Sequence, residues 1–264
     1  MGKYIFTITA GHTGTTWLSE FIKSNTNIYS IHELLDIDDF GNQMPDIRTM
    51  RTFNERGMTQ FVEDFWHRKF SVITTYSDYA ESNHTLSRCG LLEYLASLKI
   101  EHDIYLICIR RNWAKQCMSF INRADFMNVT INWQWYLDYR YARRIVDPEP
   151  FVSAHGYVGQ ILWYMAEVEA RQEYYKILYG DLFHFIDIMM EEMVTAEGSS
   201  RLMEQLGISA DQVILPPKLN YNRAKENVGL LKQLLEIIST IQVAPTRQAE
   251  EYIAGGKSLS DKNI

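Results

Sequence analysis

The rhythm of apolar and polar positions divides this chain into short units. "KYIFTITA" (3–10) is an apolar, β-branched run that stops at Gly11, the pattern of a buried strand. "TTWLSEFIKSN" (15–25) sets Trp17, Leu18, Phe21 and Ile22 along one side of a 3.6-residue period, so a helix follows at once. "NIYSIHE" (27–33) predicts a short strand, and 34–57 holds no sustained period and reads as an excursion able to reach over a site. "TQFVEDFWHRKF" (59–70) is helical, "FSVITTY" (70–76) a strand and "HTLSRCGLLEYLASL" (84–98) a helix. "DIYLICIR" (103–110) is the continuous apolar run of a parallel strand, followed by the helix "NWAKQCMSFINR" (112–123) with Asn112 as its cap. Two long helices are predicted over 129–146 and 154–173 around the turn "DPEP" (147–150). "YYKILYG" (174–180) predicts the last strand. Helices are predicted over 181–193, 200–208 and 226–240, and a frayed tail over 254–264.

Apolar strands separated by helices predict an α/β fold, a three-layer α/β/α sandwich around a central parallel sheet. No repeat or linker breaks the pattern. We expect one domain over 1–253, with insertions near 34–57 and 123–170 that shape the substrate site. Ligands of such sheets bind beyond the carboxyl ends of the strands. That directs attention to 9–17, 32–40, 76–84 and 110–119.

Composition narrows the picture. With 264 residues, 46% of them hydrophobic, the chain can bury a large core. A net charge of -7 argues against an extended nucleic-acid surface but leaves room for one anion in a locally positive pocket. Cys89, Cys108 and Cys117 have no metal-ligand spacing, so no metal is expected and a reducing compartment is. No window approaches the roughly 18 apolar residues of a membrane span, and residues 1–8 lack a signal peptide's apolar region. A soluble cytoplasmic protein is expected. A homodimer remains open, since no interface motif speaks to it.

The candidate chemistry begins at "TAGHTGTTWL" (9–18). Gly11 and Gly14 let the backbone turn sharply and come close to an anion. The amides from His12 to Thr16, the hydroxyls of Thr13, Thr15 and Thr16, and the start of a helix together form a P-loop-like phosphate-binding turn. A Walker A loop would carry a lysine before its Ser or Thr, and none stands here. A second constellation lies at "CIRRNWAKQCMSF" (108–120). Arg110 and Arg111 fall at a strand's carboxyl edge, and Asn112, Lys115 or Gln116, and Ser119 recur along one helical face, so that one Arg plus one Ser suits a terminal phosphate. Two phosphate sites on one sheet imply a nucleotide phosphorylated at both its 5′ and 3′ positions.

These stretches resemble the sulfotransferases that use 3′-phosphoadenosine-5′-phosphosulfate (PAPS). "TGTTWL" (13–18) is similar to the family's 5′-phosphosulfate loop, a lysine followed by Ser-Gly-Thr-Thr-Trp in cytosolic members. In that register His12 takes the lysine's place, Thr13 the serine's, and Gly14, Thr15, Thr16 and Trp17 match. "IRRNWAKQCMSF" (109–120) resembles the 3′-phosphate motif, which assigns that phosphate to Arg111 and Ser119 with Arg110 beside them. Trp113 departs from the proline or small residue of many members. "YGDLF" (179–183) resembles a later strand-to-helix junction, and "LMEQLGI" (202–208) the short helix after it. The family's Arg-Lys-Gly motif is absent from "KLNYNRAKEN" (218–227), where Lys218, Arg223 or Lys225 are the candidates to replace it. The resemblance spans about 4–33, 70–122 and 174–210.

It implies sulfuryl transfer from PAPS, leaving PAP, to a hydroxyl or amine of a small molecule, sugar or peptide. His12 would carry charge at the sulfate or donate one hydrogen bond. The base would come from the end of the third strand. Cytosolic members use a histidine there and heparan-type members a glutamate, and "AESNH" (80–84) offers both, as Glu81 and His84. His32 and Glu33 at the second strand's end are the other candidates, as base or as acceptor contact. Trp133, Trp135, Tyr136 and Tyr139 suggest an aromatic wall. Two alternatives stay open: a kinase-like P-loop phosphoryl transferase and a non-catalytic nucleotide-binding protein.

Overall fold

The computed structural model describes residues 2–98, 101–127, 136–209, 212–217 and 227–260. Five parallel strands form one sheet in the order β2-β3-β1-β4-β5: β1 (Lys3–Ile8), β2 (Tyr29–His32), β3 (Tyr79–Ser82), β4 (Asp103–Arg110) and β5 (His184–Met189). β1 lies at the centre, with Phe6 opposite Glu81 on one side and Leu106 on the other. Its helix α1 (Thr15–Asn25) covers one face, where Trp17, Leu18, Phe21 and Ile22 meet Ile5, Tyr105 and Ile107. α7 (Met190–Met193) and α8 (Ala196–Gln205) join this layer through Met193, Leu202 and Met203.

The opposite face is covered by α2 (Ile47–Arg56), α3 (Gln60–Ile73), a 3-10 turn (Leu86–Cys89) and α4 (Leu91–Ser97). The end of α6 (Glu149–Tyr179) and α10 (Pro245–Ala254) complete it. The result is the expected three-layer sandwich. A second cluster joins Ala10 to α5 (Trp113–Arg123), the first half of α6 and α9 (Val228–Thr240). It supports the loop that follows β1.

Several boundaries differ from expectation. "FSVITTY" does not form a strand: α3 runs on to Ile73, because Val62, Trp66, Phe70 and Ile73 keep a helical spacing toward the core. The third strand is instead "YAES", wholly buried although half of it is polar. The excursion 34–57 contains α2, started by Asp46, whose carboxylate accepts from the Thr49 amide at 2.8 Å. "YYKILYG" continues α6, with Tyr174 and Tyr175 inward and Ile177 and Leu178 outward. The last strand follows it, within the stretch expected to be helical. Hence "YGDLF" is a helix-to-strand junction, the reverse of the one it resembles. The predicted helix 129–146 falls partly outside the described residues, and 136–148 are irregular. α6 absorbs both "EP" of the turn and the helix expected at 154–173, with a break at Gly156 (φ 53°). The tail is not frayed through residue 260: Leu259 is fully buried, and Ser260 O accepts from the Met58 amide. No helix among the described residues is long and apolar enough to cross a membrane.

Candidate active site

The turn between β1 and α1 is held by its carbonyls. Gln172 Nε2 donates to Ile8 O (2.7 Å), Tyr164 OH to Ala10 O (2.6 Å), Gln116 Nε2 to Gly11 O (2.6 Å) and Arg111 Nη1 to His12 O (2.7 Å). All four donors come from α5, α6 and the residue after β4. The amides of His12, Thr13 and Gly14 donate to no backbone carbonyl among the described residues. Gly14 precedes α1 in a left-handed conformation, and no side chain caps the helix. A helix start with its first amides uncapped favours an anion. Gly11 (φ 87°) is needed twice: a Cβ there would be strained and would lie 3.3 Å from His84 Cδ2. His12 also takes a positive φ (56°), which costs a side-chain-bearing residue about 1–2 kcal/mol.

The other loop residues divide by role. Thr13 is buried, its hydroxyl 2.6 Å from that of Thr9. Thr15 is buried and Thr16 half-buried at the start of α1. Trp17 stacks on Phe21 and donates from Nε1 to Pro216 O (3.1 Å), pinning the 212–217 segment over α1.

The two arginines part company. Arg110 turns to α6, bonding Gln172 (2.8 Å) and Glu173 (2.5 Å). Arg111 turns to the loop, and its buried Nε has no hydrogen-bond partner among the described residues. Asn112 caps α5 by accepting from the Lys115 amide, as expected, and Trp113 bonds Glu169. Ser119 Oγ lies 2.7 Å from His12 Nδ1, and His12 Nε2 lies 2.7 Å from Asp125 Oδ2. Burial pushes the His12 pKa down, the Asp125 carboxylate opposes that, and Arg123 and Arg111 reinforce it. Asp125 had no signal in the sequence: it follows Ala124, the left-handed residue that ends α5. Lys218, Arg223, Lys225, Trp133 and Trp135 lie outside the described residues.

Glu81 and His84 separate as sharply. Glu81 is buried inside β3 with Lys69 Nζ at 2.7 Å and hydrogen bonds from Tyr79 OH (2.7 Å) and Asn83 Nδ2 (2.9 Å). His84 lies against Gly11, with its Nδ1 paired to Glu33 Oε1. His32 holds the two strand ends together, Nδ1 at 2.6 Å from Ser82 O and Nε2 at 3.8 Å from Glu33 Oε2. Burial works against the Glu33 charge, but His84 and His32 outweigh it and bring its pKa to about 2. Burial lowers the pKa of His84, Glu33 raises it and Arg88 lowers it. The stable arrangement is therefore a Glu33 carboxylate with neutral His84 donating Nδ1–H to it, which leaves the ring's lone pair on Nε2. The buried Arg88 ties this to the loop, donating to His84 O and to Tyr164 OH. Tyr136 is buried 5.9 Å from the His84 ring and stacks on Phe126, whereas Tyr139 lines a cavity of about 170 Å³ with Phe126, Gln160 and Trp163.

No protein-family model and no curated protein matches the chain. Among solved structures, a sulfotransferase from Alicyclobacillus acidocaldarius is similar with a TM-score of 0.50 over 95% of each chain, at 14% sequence identity. At that identity the likeness is one of fold, and it supports at that level the resemblance read from the phosphate loop and the Arg111–Ser119 spacing.

Proposed function

We propose that this chain is a sulfotransferase that moves the sulfuryl group of PAPS to a hydroxyl or amine acceptor, with His84 as general base. One observation carries the reading. A Glu33–His84 pair packs directly on Gly11 of a loop whose carbonyls are tied back and whose amides are left to an anion. The donor set suits a nucleotide phosphorylated at both ends. The uncapped start of α1 takes the 5′ group, and the unsatisfied buried Arg111 Nε, with Ser119, takes the 3′ phosphate. When bound, the donor supplies an activated sulfuryl group beside the loop.

The chain's own work is then positioning and proton handling. Glu33 fixes the tautomer and plane of His84, and His84 Nε2 receives the acceptor's proton as the acceptor oxygen or nitrogen attacks. The loop amides stabilise charge on the departing phosphate, in a setting fixed before the reaction and needing no reorganisation. Glu81 is committed to Lys69 and serves the strand rather than the proton. A phosphoryl-transfer reading lacks a specific observation of this kind, because no lysine stands in the loop.

Calorimetric titration tests the donor. PAP is expected to bind, with its 5′ phosphate on the amides of 12–16 and its 3′ phosphate on Arg111 and Ser119 in a co-crystal. Tight binding of ATP–Mg²⁺ with no binding of PAP would overturn the proposal.

A further inference from the structure

The hydrogen bonds around His12 carry an inference beyond the donor's identity, one that rests on the sulfuryl-donor reading above. Ser119 Oγ faces His12 Nδ1 at 2.7 Å, and Asp125 Oδ2 faces Nε2 at 2.7 Å. Asp125 is fully buried, and neither of its oxygens has a well-aligned hydrogen bond among the described residues. A cation near it, Arg123 Nε, stands 3.7 Å from Oδ1 and is half exposed. A bare imidazole nitrogen this close to a buried carboxylate would repel it, so Nε2 carries a proton. A neutral histidine has only one, so Nδ1 then bears the lone pair and accepts from the Ser119 hydroxyl. In that state the serine's single proton is spent on His12 and is withheld from a phosphate.

We propose that binding of the 3′ phosphate takes up one proton at His12, and that Asp125 is the positioning residue that makes this uptake possible. The proton comes from solvent and adds to Nδ1. No other bond is made or broken except the hydrogen bond that reverses: Nδ1–H now donates to Ser119 Oγ, and the serine hydroxyl turns to donate to the phosphate. The imidazolium sits between the Asp125 carboxylate and the new anion. The charge that the loop lacks for want of a lysine thus arrives with the ligand. The groups facing the ring are Asp125 and Arg123 from the end of α5, Arg111 from the end of β4, and Ser119 and Phe120 within α5. The two arginines and burial keep His12 neutral in the unliganded protein, and the phosphate supplies what tips it.

The test is calorimetry at pH 8, in buffers of different ionisation enthalpy, where a phosphate monoester is already a dianion. PAP is expected to bind wild type with uptake of roughly one proton, and ADP, which lacks the 3′ phosphate, with almost none. H12K should bind PAP with no uptake and little change of affinity between pH 6.5 and 8.5, because its charge is permanent. D125N should bind PAP about tenfold more weakly at pH 8 and recover as the pH is lowered, which a merely structural defect would not do. Should D125N fail to fold, H12K against wild type still decides the matter. PAP binding whose heat is independent of buffer would overturn this inference and leave the donor reading standing. If wild type binds pyrophosphate or ATP but not PAP, the donor reading falls, and proton uptake with either anion, neither of which carries a 3′ phosphate, would overturn the His12 inference as well. No binding of any of these anions sinks both.

Discussion

The Lys69–Glu81 cluster inside β3 and the Glu33–His84 pair at its end each bury a carboxylate against a nitrogen base, and they are built for opposite purposes. Lys69 and Glu81 are both fully buried, and Tyr79 and Asn83 complete the shell. Nothing there is left for a substrate, so the cluster fixes the strand. In the Glu33–His84 pair, Glu33 engages Nδ1 of the ring, whose edge rests on the loop at Gly11. A carboxylate that meets a charge of fixed sign makes an anchor. One that meets a titrating ring, beside the loop proposed to hold the donor, can make a proton acceptor.

Substitution should separate the two. H84N is expected to lower kcat by about 10²–10⁴, the usual worth of a general base, with PAP affinity changed only a few-fold. If H84N retained wild-type turnover in a PAPS assay, the assignment of the base would be wrong. E33Q should cost less, about 10², because His84 remains but loses its orienting partner. Its pH profile carries the sharper information. With His84 as the proposed base, its neutral form is the active one, and burial sets its pKa below 6.5, so kcat/KM should fall only as pH drops through a value under 6.5. Glu33 raises that pKa, so E33Q should move the acid limb to still lower pH. A limb that moved upward would contradict the pairing.

E81Q should behave in the reverse manner, with kcat per folded molecule within a few-fold of wild type. Stability to urea should fall by about 3–5 kcal/mol, because Lys69 is left charged and buried without its partner. Removing both charges, as in K69M/E81M, should recover most of that loss. Loss of turnover in E81Q with unchanged stability would exchange the roles assigned to the two acids.

Why the sequence could not make this distinction is instructive. Glu81 and His84 share "AESNH", both are ordinary base types, and one position of register decides which faces the loop. That register was hidden, because "FSVITTY" looks more like a strand than "YAES" does. β-branched residues signal a strand when half-buried, but Phe70 and Ile73 were continuing the buried stripe of α3. "YAES" carried no such signal, since its Glu is paired with Lys69 from another element. The turn between β1 and α1, by contrast, was legible: glycine positions and the helix start are local. So was β4, whose apolar run is long and uninterrupted. Gln116, Tyr164 and Gln172, which hold the loop's carbonyls, come from 100 or more residues away for the first two and farther still for the third, and only the fold brings them in. Asp125 was invisible for the same reason.

A third buried carboxylate offers the weakest perturbation and the cleanest control. Glu93 on α4 meets no cation within ion-pair distance among the described residues. Tyr175 OH donates to it (3.1 Å), and its Oε2 has no hydrogen-bond partner among the described residues. Burial brings its pKa up to about 7. An acid whose pKa is raised by folding holds its proton longer in the folded chain than in the unfolded one. Stability should therefore decline as pH rises from about 4.5 to about 7 and level off above, by about 3 kcal/mol in total at 1.36 kcal/mol per pKa unit. E93Q keeps the shape and removes the ionisation. It should match wild type near pH 4.5, exceed it by about 2–3 kcal/mol at pH 8, and leave PAP binding unchanged. Denaturant titrations at the two pH values decide it: a wild-type advantage at pH 8 would mean that the Glu93 charge is compensated in the fold. The three acids would then no longer form a series from anchored, through proton-sharing, to uncompensated.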